Sequence, residues 1–496
     1  MQLPEDCIEE ILEYLEDDII TLHSCSLVSR TLCKIAIPIL WRQPFRYKRH
    51  NPSSALIETY WNFLKKEYVT SEDKMILSDF GIEISQQQLK QKKEEIFNYP
   101  SFIKRLNSRD LYDFSLIWFI SSKTLVKPLT PEPMITIARC LFNTFIARGA
   151  KFEYLFWETE LIVFGCFVKY GHEQTFNNAA IACHEIDTLI IGIRMNENYS
   201  GKEEKLESLN KLINAQNKLR EFIFAEYPGC TWDTLTRLRE VDISLDSQID
   251  TLTSIEFNNV DFSFWKPLEF VIRLINLENL IFKNCRNLEI VLEPFKFSSF
   301  KKLKKLVMIG YEGSNNIPLE LLNNLIGQTS ETLNHLSIVM NSELTRVVTS
   351  AIQKYHPELI ELFIKLDQSH FFILHKTRPF YNLIKLKKLV ISSLGNLKVM
   401  TDELLPQLGR SLPPNLLHLE IQAPWKFSIK SLKKFLDNNQ APIKIFDIRH
   451  CKDLQDEHII LILNRLKNTL EKLIISDECM NPQFYGRVDS LRYRWE

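Results

Sequence analysis

The sequence predicts an α/β chain in three parts: a compact three-helix N-terminal module, a helical linker, and a solenoid with a parallel sheet and outer helices. Three observations predict it. Apolar residues recur at helical spacing through the first forty-one positions. A six-residue apolar phrase then returns at near-constant intervals from residue 186 onward. Apolar and charged fractions of 45% and 25% match a globular chain, and 496 residues leave room for more than one cooperative unit. The parts are set at 1–45, 46–185 and 186–496.

In the N-terminal module, Pro4 follows Leu3, and Ile8, Ile11, Leu12 and Leu15 come at helical spacing. Proline is tolerated in a first turn, and acids there favour the positive end of the helix dipole. Glu16-Asp17-Asp18 breaks the pattern. A second helix is expected over Ile19 to Val28, and a third through Leu32, Cys33, Ile35, Ala36 and Ile39 to Leu40-Trp41. About forty residues make a marginal core, so part of the module's apolar surface is expected against a partner.

These residues resemble the F-box. Its landmarks are matched in order by Leu3-Pro4, Ile11-Leu12 with Leu15, Val28-Ser29-Arg30 and Leu40-Trp41. Leu32 stands where most F-boxes carry tryptophan. The resemblance covers under a tenth of the chain. It implies docking onto a Skp-type adaptor and through it a cullin–RING ubiquitin ligase, with Leu3, Pro4, Ile8, Leu12, Val28 and Trp41 as anchors.

Residues 46–185 carry less information. Arg46 to Pro52 reads as a basic, proline-stopped connector. Amphipathic helices are expected at 53–67, 84–98, 109–121 and 133–148, with a loop at Lys127 to Pro133. The aromatic density here (Trp61, Phe97, Phe102, Phe114, Trp118 and neighbours) reads as packing.

The solenoid rests on the phrase apolar-x-x-apolar-x-apolar. It stands at Ile186–Ile191, Leu219–Phe224, Leu238–Ile243, Leu252–Phe257, Leu277–Phe282, Leu303–Met308, Leu333–Ile338, Leu359–Ile364, Leu386–Ile391, Leu416–Ile421, Ile443–Ile448 and Leu470–Ile475. Between consecutive phrases from 252 the steps are 25, 26, 30, 26, 27, 30, 27 and 27 residues. That period and phrase are the leucine-rich-repeat signature, and they predict a horseshoe. Positions one, four and six enter a shared core, a short strand forms between them, and stacking buries what no unit buries alone. Helices are expected at Leu319 to Ile326, Thr401 to Leu405 and Asp456 to Leu463. The turn-bonding ninth position is filled only at Cys285, Asn341 and Cys451, and both cysteines read as structural thiols.

Third positions are expected on the concave side: Glu221, Glu240, Ser254, Asn279, Lys305, His335, Glu361, Lys388, His418, Ile445 and Lys472. Acids come early, bases and histidines later. Two readings stand. The gradient selects an oppositely patterned protein segment, with Glu221, Glu240, Lys305, His335, Glu361, Lys388, His418 and Lys472 as contacts, or it is solubilising charge.

Composition removes other classes. A net charge of −1 argues against a general nucleic-acid or membrane-surface binder. Residues 1–45 nevertheless hold eight acids against three bases. No glycine cluster could cradle a phosphate. The acidic N-terminus lacks a signal-peptide pattern, and the apolar run Leu161 to Val168 falls well short of the roughly 20 residues of a membrane span. Ten cysteines without a C-x-x-C pair read as reduced thiols. Cys183-His184 and His450-Cys451 are adjacent in sequence, which on a strand sends the two side chains to opposite faces. No catalytic residue, metal or cofactor is expected.

The expectation is a non-enzymatic substrate-recognition subunit of an SCF-type E3 ligase, cytoplasmic or nuclear. Its F-box would bind the adaptor and its repeats an unidentified protein substrate. Two alternatives keep the architecture: a scaffold outside any ligase, and a receptor gated by a small molecule.

Overall fold

A computed structural model describes residues 3–46, 54–82, 96–122, 130–158, 160–163, 166–169, 172–193, 202–226, 244–262, 268–288, 293–297, 300–309, 319–329, 331–339, 351–352, 354–355, 358–366, 378, 380–393 and 401–475. The chain is mixed α/β and forms two compact units, Met1–Leu252 and Thr253–Glu496.

The first unit opens with α1 (Glu5–Glu13), α2 (Ile19–Val28) and α3 (Arg30–Leu40). Two caps set these boundaries. Asp18 Oδ1 accepts from Thr21 N at 3.1 Å and Ser29 Oγ from Leu32 N at 3.1 Å, satisfying N–H groups that have no partner within the helix. Then come α4 (Ser54–Trp61), α5 (Ser71–Asp79), α6 (Ser108–Ser122), α7 (Glu132–Ala147), α8 (His172–Ala182) and α9 (Lys202–Asn214). Pro133, where the expected loop ends and the expected helix begins, occupies the first turn of α7, where its missing N–H costs nothing. The helix expected at 84–98 lies mostly outside the described residues.

Strands β1 (Arg105–Asn107), β2 (Tyr154–Glu158), β5 (Thr188–Ile193) and β6 (Glu221–Glu226) are parallel neighbours, with Leu106, Leu155, Leu189 and Phe222 in one register row. The ladder thus starts at Arg105, within the stretch read as a helical linker. The signal was present, because Phe152-x-x-Leu155-x-Trp157 is the repeated phrase in aromatic form, and all three side chains are buried. The run Leu161 to Val168 is an antiparallel hairpin of β3 (Glu160–Val163) and β4 (Cys166–Lys169).

In the second unit β7 (Ser254–Asn258), β8 (Asn279–Lys283), β9 (Lys305–Ile309), β10 (His335–Val339), β11 (Glu361–Leu366), β12 (Lys388–Ser393), β13 (His418–Gln422), β14 (Ile445–Asp447) and β15 (Lys472–Ile474) pair in parallel and in chain order. This is a solenoid-like stack. Each strand begins at the third position of its phrase; only Leu238–Ile243 lies outside the described residues. Positions one, four and six are buried in every described phrase except at Ile475, the last position of the last phrase, as a core shared between turns requires. The return segments include α10 (Leu319–Gln328), α11 (Thr401–Ser411) and α13 (Asp456–Arg465), where the sequence placed helices, and α12 (Ile429–Asn438), which it did not mark. Gly409 lets α11 approach α12, since a Cβ there would meet the Phe435 carbonyl oxygen at 2.5 Å. Asn259 and Asn284 leave β7 and β8 in the left-handed region, φ 57° and 52°, which asparagine tolerates better than most residues.

One backbone device recurs. The carbonyl just before each strand accepts two successive N–H groups from the start of the next strand, using both its lone pairs. Arg42 O takes Lys104 and Arg105, Lys104 O takes Glu153 and Tyr154, Glu153 O takes Asp187 and Thr188, and Asp187 O takes Arg220 and Glu221. The second unit repeats this from Thr253 O to Lys444 O. Arg42 comes one residue past the C-cap of α3, Trp41, so the helical module ends in the first rung of the ladder.

Candidate docking faces

Within the N-terminal module Leu12, Leu22, Ala36 and Ile39 form the core, with Ile8, Leu15, Cys25, Leu32, Ile35 and Leu40 packed on it. Leu32, at the position where tryptophan is usual, therefore serves the module's interior. Six apolar side chains remain outside: Leu3 (61% exposed), Ile11, Tyr14 (85%), Ile20 (82%), Leu27 and Val28 (73%). Their exposure has a simple origin. Ile8 and Leu12 take the i, i+4 stripe of α1, with Leu15 packed just past its end, which turns Ile11 and Tyr14 off the core, while α2 is apolar around more than one face and can bury only part of it.

The six anchors read from the sequence divide accordingly. Leu3, Pro4 and Val28 stand exposed. Leu12 is only 4% exposed and Ile8 packs beside it, so both hold the module together. Trp41 packs against Tyr99 and Tyr60, with ring centroids 4.2 and 5.4 Å away, and joins the module to the rest of its unit. Ile11, Tyr14, Ile20 and Leu27 were missed; the signal was their apolar character away from the core stripe.

Two ion pairs orient α1. Arg42 grips Glu13 with both terminal nitrogens, and Arg46 reaches Asp17. The hydrogen bond from Arg42 holds the Glu13 carboxyl below its ordinary range. One arginine thus fixes α1 through its side chain and β1 through its carbonyl.

On the sheet face of the second unit not used by positions four and six, Lys305, His335, Glu361, Lys388 and His418 occupy one row on five adjacent strands. Lys472 continues the row beyond Ile445. Glu221 belongs to the first unit, where its carboxylate accepts from Thr188 Oγ1 at 3.3 Å; Glu240 lies outside the described residues. His335 Nδ1 lies 2.7 Å from Glu361 Oε2. Desolvation lowers the His335 pKa, opposed by that hydrogen bond; desolvation and then the nearby Lys388 charge lower that of His418. The fifth positions were missed and share this face by strand alternation. They run Ile281, Val307, Ser337, Phe363 and Val390, then Glu420 and Asp447. Asp447 is buried and held by Arg449 at 2.8 Å, so the face passes from an apolar middle to a charged end.

The thiol–imidazole neighbours do not form a nucleophile–base couple. Cys183 Sγ points at the Ala150 carbonyl, 3.9 Å away, and burial pushes its pKa up to about 11. The His184 ring nitrogens face the Ala215 and Ile181 carbonyls at 3.0 and 3.1 Å. Cys285 donates to Phe257 O at 3.3 Å, a rung-to-rung bond consistent with a structural thiol.

Residues 1–47 match the F-box-like family. F-box domains generally bind Skp-type adaptors, which suits a small module with unburied apolar side chains. No curated protein sequence matches the chain. Among the described residues no helix is long and apolar enough to cross a membrane.

Proposed function

We propose that this chain is the substrate-recognition subunit of an SCF-type ubiquitin ligase. The F-box-like module would bind a Skp-type adaptor and, through it, a cullin–RING core, while the solenoid, read as a leucine-rich-repeat horseshoe, would hold the protein substrate. The chain transfers nothing itself; it raises the effective concentration of substrate lysines near the charged conjugating enzyme.

The observation that carries this reading is the set of six exposed apolar side chains on a module of some forty residues that matches the F-box-like family. Such a surface calls for a cover, and a few of its residues would supply most of the binding energy. The parallel strands at near-constant spacing support the repeat assignment, and the charged row from Lys305 to His418 offers the substrate a patterned face.

Affinity purification of the intact chain beside a Leu3→Asp/Val28→Asp variant, each with mass spectrometry, tests the proposal. Adaptor and cullin should accompany the intact chain alone, and proteins common to both lists become substrate candidates. Adaptor recovered equally with both chains would refute the docking face; adaptor without cullin would refute ligase membership.

A further inference from the structure

The first unit holds a groove of about 870 Å³ along the N-terminal ends of β1, β2, β5 and β6. Its walls are charged and ordered in rungs. Lys104 pairs with Glu153 at 2.6 Å, Arg220 with Asp187 at 2.5 Å, and Lys218 with Glu185. Every acid lining the groove is therefore matched to a base. Two further cations remain, Arg105 and Lys151; both are exposed, and neither makes an ion pair among the described residues. The carbonyls of Lys104, Glu153 and Asp187 each already accept two N–H groups, so these three do not compete for the cations.

We infer that this groove is a docking site for a short, extended, acidic segment of a partner protein, with Arg105 and Lys151 as its charge anchors. Charge complementarity selects the occupant. The net excess is positive, but Glu153, Glu185 and Asp187 interleave with the bases. A continuous polyphosphate would set its charges against those carboxylates, whereas a peptide can place its acids at intervals. Size agrees: three strand spacings span about 14 Å, the length of about four extended residues. The site does not depend on the ligase reading.

The test uses the full chain and fluorescently labelled hexaglutamate, followed by anisotropy at low salt. Saturable binding is expected, weakening as ionic strength rises. Arg105→Glu/Lys151→Glu should weaken it about tenfold or more, and Lys433→Glu/Lys434→Glu, on the exposed side of α12, should leave it unchanged. Both target side chains are exposed, so thermal unfolding should not shift, and the reversed groove should gain affinity for hexalysine. Equal hexaglutamate binding by the intact chain and the Arg105/Lys151 variant would overturn the proposal. So would tighter binding of a hexathymidylate oligonucleotide that the same variant abolishes.

Discussion

Leu12 and Val28 are both F-box landmarks in the sequence, yet their surroundings demand opposite outcomes on substitution. Leu12 is 4% exposed among Leu22, Ala36 and Ile39, and Val28 is 73% exposed. Leu12→Ala removes three carbons, about 2.4 kcal/mol at roughly 0.8 kcal/mol per methylene. Incomplete collapse around the cavity raises this to about 3–4 kcal/mol. For a module with so few core residues this is enough to unfold it. Val28→Asp removes no buried contact and should shift folding stability by no more than about 0.5 kcal/mol. At an interface centre it would cost about 2 kcal/mol, near thirtyfold in Kd for a Skp-type adaptor. Urea unfolding of both variants, paired with calorimetric titration of the adaptor, separates the effects. Wild-type stability in Leu12→Ala, or unchanged adaptor affinity in Val28→Asp, would refute the division between core and docking face.

Gln216→Leu should destabilise the first unit by about 3 kcal/mol, read by denaturant unfolding, because it strands Ile186 N–H and the Cys183 and Leu212 carbonyls that the buried amide satisfies. The buried Tyr60 hydroxyl has no hydrogen-bond partner among the described residues, so Tyr60→Phe should raise stability by about 1 kcal/mol and the thermal midpoint with it. Gly409→Ala should lower stability by about 1–3 kcal/mol, since its methyl would meet backbone at the α11–α12 contact. The depressed histidines set a pH slope. His335 and His418 bind protons more weakly folded than unfolded, so stability is full above the unfolded value near about pH 6.5 and falls as pH drops toward their lower folded values. The double variant His335→Gln/His418→Gln should flatten that fall in pH-stepped unfolding.

Much of this architecture could be read directly from the residues. The phrase located its strands because a shared core enforces one periodicity regardless of which aliphatic residue fills each slot. It failed at Phe152-x-x-Leu155-x-Trp157, where aromatic residues do the same work over a longer step, and at Ile103-x-x-Leu106, where Ser108 ends the phrase. The polar break at Glu16-Asp17-Asp18 was visible because it is local, whereas the capping bonds of Asp18 and Ser29 came only with the structure. The docking face was half visible. Spacing identified which residues are apolar, but core and surface on a short helix differ by one position, and the packing of Trp41 on Tyr60 and Tyr99 depends on contacts far along the chain. Fifth-position residues such as Asp447 were overlooked because their partners, here Arg449, become apparent only once the strand's face is fixed.

Arg42 gives the first unit a zero mark. Its carbonyl is the rung from which Lys104, Glu153 and Asp187 are counted, so these rungs step away from the N-terminal helices by successive strand spacings of about 4.8 Å each. The chain leaves this scale after Arg42 and rejoins it at Lys104, one graduation later. Lengthening or trimming the excursion between them would reshape the flank without changing the scale. Its exposed stretches could therefore change in length while Tyr60 and Tyr99 kept their places under Trp41 and the rungs of the sheet kept their count.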